Sequence, residues 1–297
     1  MDRDHEVTST ALYVYAVIPD IGRREWGAIG LDRAVVRAEG DGPLAALVHE
    51  VPAARPYEGD DEQVRTWVLR HSQVVERAWE AAGTVLPVSF DVLVRGDDEM
   101  LAQQRLRQWL HDARDRLTAA LDRLRDRVEL KVDIGFPWTT ERHGSDHPPV
   151  GGLQRLQEKR RELERDQVLD KRADALYRVV RRELASRAED LVEHHRSRPE
   201  GLKPVFSGSL LVRRDQIDEV GRELARLQAR EPDLVIKYLG PWPPYSFADA
   251  VMQSIPYGME NVRSRPDWPW VDADERRAGL DGADAAARAG PAVPRSE

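Results

Sequence analysis

No cysteine occurs among the 297 residues, which excludes a disulfide framework, a thiolate metal site and a cysteine nucleophile together. Long apolar runs are missing too. Nothing approaches the ~18 apolar residues of a membrane-crossing helix, and residues 1–10 are polar and charged where a secretory leader carries an apolar stretch. The expectation is a cytoplasmic protein without membrane contact. Nor is there an excess of positive charge. The 45 Lys and Arg stand against 53 Asp and Glu, both signs interspersed, for a net charge of −8 that would repel a polyanion. Nucleic acid is therefore not an expected partner. Signatures of catalysis are absent as well. There is no Gly-X-Ser-X-Gly, Walker-A, dinucleotide or zinc pattern, and Gly22-Arg-Arg-Glu-Trp-Gly27 lacks the Gly-Lys-Ser/Thr ending of a phosphate loop. No enzyme activity, cofactor or metal is expected.

What is present supports two domains, because 297 residues with 41% hydrophobic content exceed the usual size of one core. The run Leu12-Tyr-Val-Tyr-Ala-Val-Ile18 is β-branched and aromatic and predicts a buried strand. Residues 34–39 and 44–51 flank Gly40-Asp-Gly-Pro43 as a hairpin would. From Asp61 the apolar residues Val64, Trp67, Val68, His71, Val74, Val75, Ala78, Trp79 and Ala82 recur at steps of three and four, a helix that Gly83 ends. Residues 84–90 form a short apolar segment whose Pro87 restricts it to an edge or a bulge. One further helix carries Leu106, Trp109, Leu110, Ala113, Leu117, Leu121 and Leu124 on a single stripe. Val128-Glu-Leu-Lys-Val-Asp-Ile134 alternates with period two, the pattern of a half-buried strand.

Phe136-Pro-Trp138 and residues 139–152 break regular structure and predict a loop, disordered in part. Helical sequence resumes over 152–197, about 65 Å if continuous, and either bends, folds into a hairpin or protrudes as an arm. Residues 204–212 and 234–239 predict strands around a helix that Asp215 would cap. Counted from Val128, the second half reads β-α-β-α-β, a modified ferredoxin-like arrangement. The fold class is thus α+β. It comprises a disordered start (1–10), an N-terminal α/β domain (11–126), a C-terminal ferredoxin-like domain (127–260) and a flexible tail (261–297) bearing Trp268 and Trp270.

The histidines read as structural. His71 lies on the apolar face of its helix, where a hydrogen-bonded core role is usual. His194-His195 reads as a helix end, where the charge complements the dipole. His143 and His147 fall in Gly- and Pro-containing sequence that does not suit a helical ligand pair. Ser207-Gly-Ser209 lies in a strand-like run where small residues permit close packing, and the mixed charges around Lys159-Arg-Arg161 predict a solvated helix face.

The sharpest local signal is Gly240-Pro-Trp-Pro-Pro-Tyr-Ser-Phe247. Its prolines predict an extended, polyproline-like segment displaying Trp242, Tyr245 and Phe247, which either pack over the C-terminal domain or form a protein-docking surface, with Trp138 as a further candidate. This octapeptide resembles the closing motif of the GvpF/GvpL gas-vesicle family. Residues 12–19, His71 with Val74 and Val75, Leu86-Pro-Val-Ser-Phe90 and Val128-Glu-Leu-Lys-Val132 resemble other family segments in the same order. Two positions depart from the pattern. Asp91 stands where the family usually has Gly, and Ser89 where Arg is common, which questions a turn that requires φ > 0.

The resemblance implies an accessory or minor structural component of the gas vesicle that contacts the small shell protein GvpA and other accessory proteins, with two domains of the kind described. Fold does not fix activity, so a small-molecule-binding regulatory protein stands as the alternative; it would need an enclosed pocket with converging polar groups.

Overall fold

The computed structural model describes residues 10–22, 24–52, 57–138, 152–194, 202–252 and 259–261. The apolar run near the start forms β1 (Thr10–Pro19), buried at eight consecutive positions. A strand with no polar face must be covered on both sides, and β1 is. It pairs antiparallel with β3 (Leu44–Pro52), which pairs in turn with β2 (Arg37–Asp41). Its other edge meets β4 (Leu86–Pro87) and β5 (Val92–Arg95). On one face Tyr13, Tyr15, Leu47 and Leu93 pack against Val74, Val75 and Ala78 of α1 (Asp61–Ala82). On the other, Leu12, Val14, Ala46, Val48 and Val94 pack against Leu106, Leu110, Leu117 and Leu121 of α2 (Ala102–Asp112) and α3 (Arg114–Leu124). Each large apolar side chain buried this way contributes about 1.5–3 kcal/mol.

Local signals explain where α1 begins and ends. Asp60 and Gln63 form a reciprocal capping box, and Gly83 closes the helix in the left-handed conformation at φ 72° with its N–H on the Trp79 carbonyl. The single helix expected over Leu106–Leu124 is instead two, because the backbone at Ala113 turns to φ −96°, ψ 4°. The apolar stripe continues across the break, so periodicity alone did not reveal it.

The second sheet holds β6 (Arg127–Pro137), β7 (Asp190–Glu193), β8 (Leu202–Arg213) and β9 (Val235–Trp242), with α4 (Gly152–Ala185) after β6 and α5 (Ile217–Arg230) after β8. The order along the chain is β-α-β-β-α-β, and the spatial order is β7-β8-β6-β9 with every neighbour antiparallel. This is the ferredoxin-like arrangement in full. Val128, Leu130, Val132 and Ile134 of β6 share one buried cluster with Val180 and Leu184 of α4 and Val220, Leu224 and Leu227 of α5. Both helices therefore cover the same face.

Several expectations change. Helix α4 stops at Ala185, and residues 190–193, expected to be helical, form the strand that completes the motif. His194 consequently follows a strand end and not a helix end. Phe136 and Pro137, expected in a loop, extend β6, with Phe136 buried. Asp215 does not cap α5; it sits in a short 3-10 turn, paired with Arg213, and Gln216 precedes the helix without a side-chain cap. Strand β6 is not half-buried, since Glu129 and Asp133 are buried along with its apolar residues. Thr10 begins β1, and Asn261 belongs to β10 (Met259–Asn261), which pairs antiparallel with β5. His143, His147, His195, Trp268 and Trp270 lie outside the described residues.

Candidate functional site

The octapeptide at 240–247 is not one extended segment. Its first three residues finish β9, with a cis Gly240–Pro241 bond, and its last three begin α6 (Tyr245–Met252). Pro243 and Pro244 are buried and make the turn between them, their carbonyls accepting the N–H groups of Tyr245 and Phe247 at 2.8 and 3.3 Å. Proline suits this place because the first helical N–H groups have no helical partner. Gly240 is required twice over. Its φ is 129°, and a side chain there would bring Cβ to 2.8 Å from the Glu129 carbonyl oxygen.

Glu129 holds the start of α6. Its carboxylate, buried at 2% exposure, accepts from the Ser246 N–H at 2.8 Å and the Ser246 hydroxyl at 2.6 Å. A carboxylate at the first turn of a helix also complements the dipole. Ser246 Oγ lies 3.3 Å from Ser209 Oγ, and Ser209 Oγ lies 2.9 Å from His194 Nε2. A serine, a histidine and a carboxylate in one network invite a hydrolase reading, but the order is wrong for it. The carboxylate binds the serine directly, and it already occupies the helix N–H that an oxyanion would use.

Helix α6 then joins the two halves. Phe247 and Ala248 enter the cluster formed by Leu12, Val14, Leu86, Leu117 and Leu121, together with Leu211 of β8. Phe247 is 4% exposed, so the ring expected on a docking surface is packed inside the protein. Trp242 and Tyr245 are half-buried, as is Trp138, whose ring lies 5.1 Å from Lys203 Nζ on β8. The structure thus brings Trp242, Tyr245 and Phe247 to one junction, with Phe247 inside it, and places Trp138 at the far end of β6.

The same junction is fastened elsewhere. Arg214 lies 4.3 Å over the ring of Trp79, and the Arg214 N–H donates to the Asp126 carbonyl at 3.0 Å. Arg123 pairs with Asp190, and Arg127 with Glu189. Sequence reasoning took Ser209 as a small packing residue and His194 as a helix end and did not join them to Ser246, because Glu129 alternates with apolar residues as a solvent-facing charge would. The signal available was the serine directly after Pro-Pro-Tyr, at the second position of a helix.

A second polar network lies under α1. The Asp91 N–H donates to Tyr13 Oη at 3.1 Å, Tyr13 Oη lies 2.8 Å from His71 Nδ1, and His71 Nε2 lies 2.9 Å from the Val88 carbonyl. A carbonyl only accepts, so Nε2 carries the proton and Nδ1 accepts from the tyrosine. His49 Nε2 lies 2.8 Å from Tyr57 Oη. Burial pushes both histidines down to about 4 and pushes the Tyr13, Tyr15 and Tyr57 hydroxyls up. The rings of Tyr13, Tyr15, His49, Tyr57, His71 and Phe90 pack at centroid distances of 4.9–6.3 Å, leaving a filled core. His71 therefore has the hydrogen-bonded core role expected of it.

Open surface lies elsewhere. A groove of about 360 Å³ runs over the α2–α3 break, lined by Met100, Arg105, Gln108, Trp109, Asp112 and Arg116, and Val35, Leu101, Leu163 and Val168 are at least half exposed. Among the described residues no group of three or more His, Cys, Asp or Glu is placed to hold a metal ion, and no helix is long and apolar enough to cross a membrane.

Comparison with known proteins gives a consistent result. A family model described as "Gas vesicle synthesis protein GvpL/GvpF" matches residues 11–249. Gas vesicle protein L2 of Halobacterium salinarum is 28% identical over 276 residues, covering 84% of this chain and 95% of that protein. Gas vesicle protein F of a Streptomyces strain is 28% identical over 254 residues, covering 80% of this chain and 99% of that protein. The crystal structure of the gas vesicle protein GvpF from Anabaena superposes with a TM-score of 0.58 at 20% identity, covering 81% of this chain and 96% of that one.

Proposed function

The chain belongs to the GvpL/GvpF family of gas vesicle synthesis proteins, and from that premise we propose that it is a cytoplasmic, non-catalytic accessory or minor structural protein that binds the shell protein GvpA, and other vesicle proteins, during assembly. A shell subunit exposes apolar surface before it is built in, and covering that surface lowers the free energy of the free subunit. The observation that carries the reading is the family match across 11–249, shared by relatives named as gas vesicle proteins of both the L and the F type. Half-buried Trp242, Tyr245 and Trp138 supply aromatic contact area of the kind enriched at interfaces. Phe247 contributes from below, by fixing the helix that carries Tyr245. Residues 11–126 and 127–260 act as two domains clasped by α6.

Co-purification tests this. GvpA co-expressed with the chain should be retained by it, and Trp242→Ala with Tyr245→Ala should reduce the retained amount while the variant stays folded. Unchanged retention would remove the aromatic surface from the account. For the small-molecule alternative, the groove over α2 and α3 is open to solvent and does not enclose a ligand.

A further inference from the structure

Three contacts run in line from the edge of the second sheet to the first turn of α6. His194 Nε2 lies 2.9 Å from Ser209 Oγ, Ser209 Oγ lies 3.3 Å from Ser246 Oγ, and Ser246 Oγ lies 2.6 Å from Glu129 Oε1. The two ends differ in their access to water. Glu129 and Ser209 are buried, whereas His194 is half-buried at the end of an edge strand.

Each serine hydroxyl carries one hydrogen, and this sets the direction of the line. If Ser246 donates to Glu129, its oxygen is left to accept from Ser209, and Ser209 accepts from a hydrogen on His194 Nε2. If the hydrogen sits on the Glu129 carboxyl instead, every bond reverses and Nε2 accepts. One proton separates the two arrangements. An imidazolium passes its Nε2 hydrogen to Ser209, Ser209 passes its own to Ser246, and Ser246 passes its own to the carboxylate, so that each serine ends as a hydroxyl and the imidazole keeps its Nδ1 hydrogen. The Ser246 N–H stays on Glu129 Oε2 in both arrangements, at 2.8 Å, and senses which form the carboxyl takes.

We propose that His194 and Glu129 are the two ends of one proton-sharing relay, through which protonation at the edge of the second sheet reaches the first turn of α6, the helix that clasps the two halves. Other ionisable groups stand close. On the His194 side of the sheet are Asp190 of β7, paired with Arg123 of α3, Lys131 and Asp133 of β6, 3.6 Å apart, and Lys237 of β9. Glu193 faces the helices, held by Tyr177 and Arg181 of α4, and α6 brings Tyr245 beside Ser246. Carboxyl groups ordinarily titrate at about 4 and Tyr, Lys and Arg at about 10 or above, so near about 6.5 the imidazole is the group whose ordinary range applies. The relay lies in the clasp and is independent of what the protein binds.

Amide and histidine-ring NMR of the full chain across pH tests the relay. The Ser246 amide signal should step at the pH where the His194 ring signals step. Ser209→Ala interrupts the line and keeps both end groups, so the Ser246 step should be lost while His194 still titrates. Ser246→Ala removes the hydroxyl and keeps the N–H on Glu129, and the amide at 246 should again show no step. His194→Gln should abolish it too. A Ser246 amide that ignores the His194 midpoint would overturn the relay, as would a step that survives His194→Gln. A step that follows His194 undiminished in both serine variants would overturn it as well, and would assign the effect to charge acting through space. Should one serine variant fail to fold, the other decides.

Discussion

The Glu129 carboxylate accepts both hydrogen bonds that Ser246 offers, from the N–H at 2.8 Å and the hydroxyl at 2.6 Å, across 117 residues of sequence. A buried acceptor fixed on β6 thereby sets where α6 begins and where the chain crosses back to the first sheet. Removing the carboxylate strands a helix-terminal donor. Glu129→Ala should cost about 2–4 kcal/mol and Ser246→Ala about 1–2 kcal/mol, with a coupling above about 1 kcal/mol in the double-mutant cycle. Urea unfolding of the four proteins measures all three quantities.

Phe247 and Trp242 lie five residues apart in one motif yet differ in role. Phe247→Ala empties a buried site between the two halves and should cost about 3–5 kcal/mol. Trp242→Ala removes a half-buried ring at the end of β9 and should cost roughly 1–2 kcal/mol. Thermal melting of the two variants side by side gives the ranking, and equal losses would contradict the packing described.

Acid should weaken the first sheet's core through His49 and His71. Both are held neutral by burial, their pKa lowered from 6.5 to about 4. A folded-state value below the unfolded one means that the folded state binds fewer protons between these limits. Stability is therefore full above pH 6.5 and falls as pH drops towards about 4, by at most about 3 kcal/mol per histidine. Chemical denaturation across that window should show the decline, and His71→Gln should flatten its slope.

Asp91 takes the left-handed conformation at φ 66°, so the turn that the family usually makes with glycine is kept by an aspartate. Asp91→Gly should be more stable than Asp91→Ala by about 1 kcal/mol, because only the backbone preference separates the two. Equal stabilities would mean that the turn relaxes when the side chain is removed.

Much of this fold was legible in the residues, and the gaps have physical causes. The β1 run, the α1 face with its Gly83 end, and the alternation of β6 all reflect periodicity set by burial. Strand β7 was missed because Asp190-Leu-Val-Glu193 is a short edge strand whose charges serve ion pairs to Arg123 and Arg181, and a charged run after a long helix looks like more helix. The break at Ala113 left the apolar stripe intact. At the candidate site the octapeptide stood out, but its division into strand end, turn and helix depends on Glu129, far away in sequence. The outward alternation of Glu129 gave no hint that it is buried. Phe247 was equally hidden, since an aromatic ring after two prolines carries no mark of which way it faces.

The most direct measurement of the central claim is light scattering from GvpA diluted out of denaturant, with and without this chain. The account predicts that the chain, added at a near-equimolar ratio, suppresses scattering and leaves a soluble complex of the two proteins. Scattering that rises equally in its presence, with no complex recovered, would contradict it.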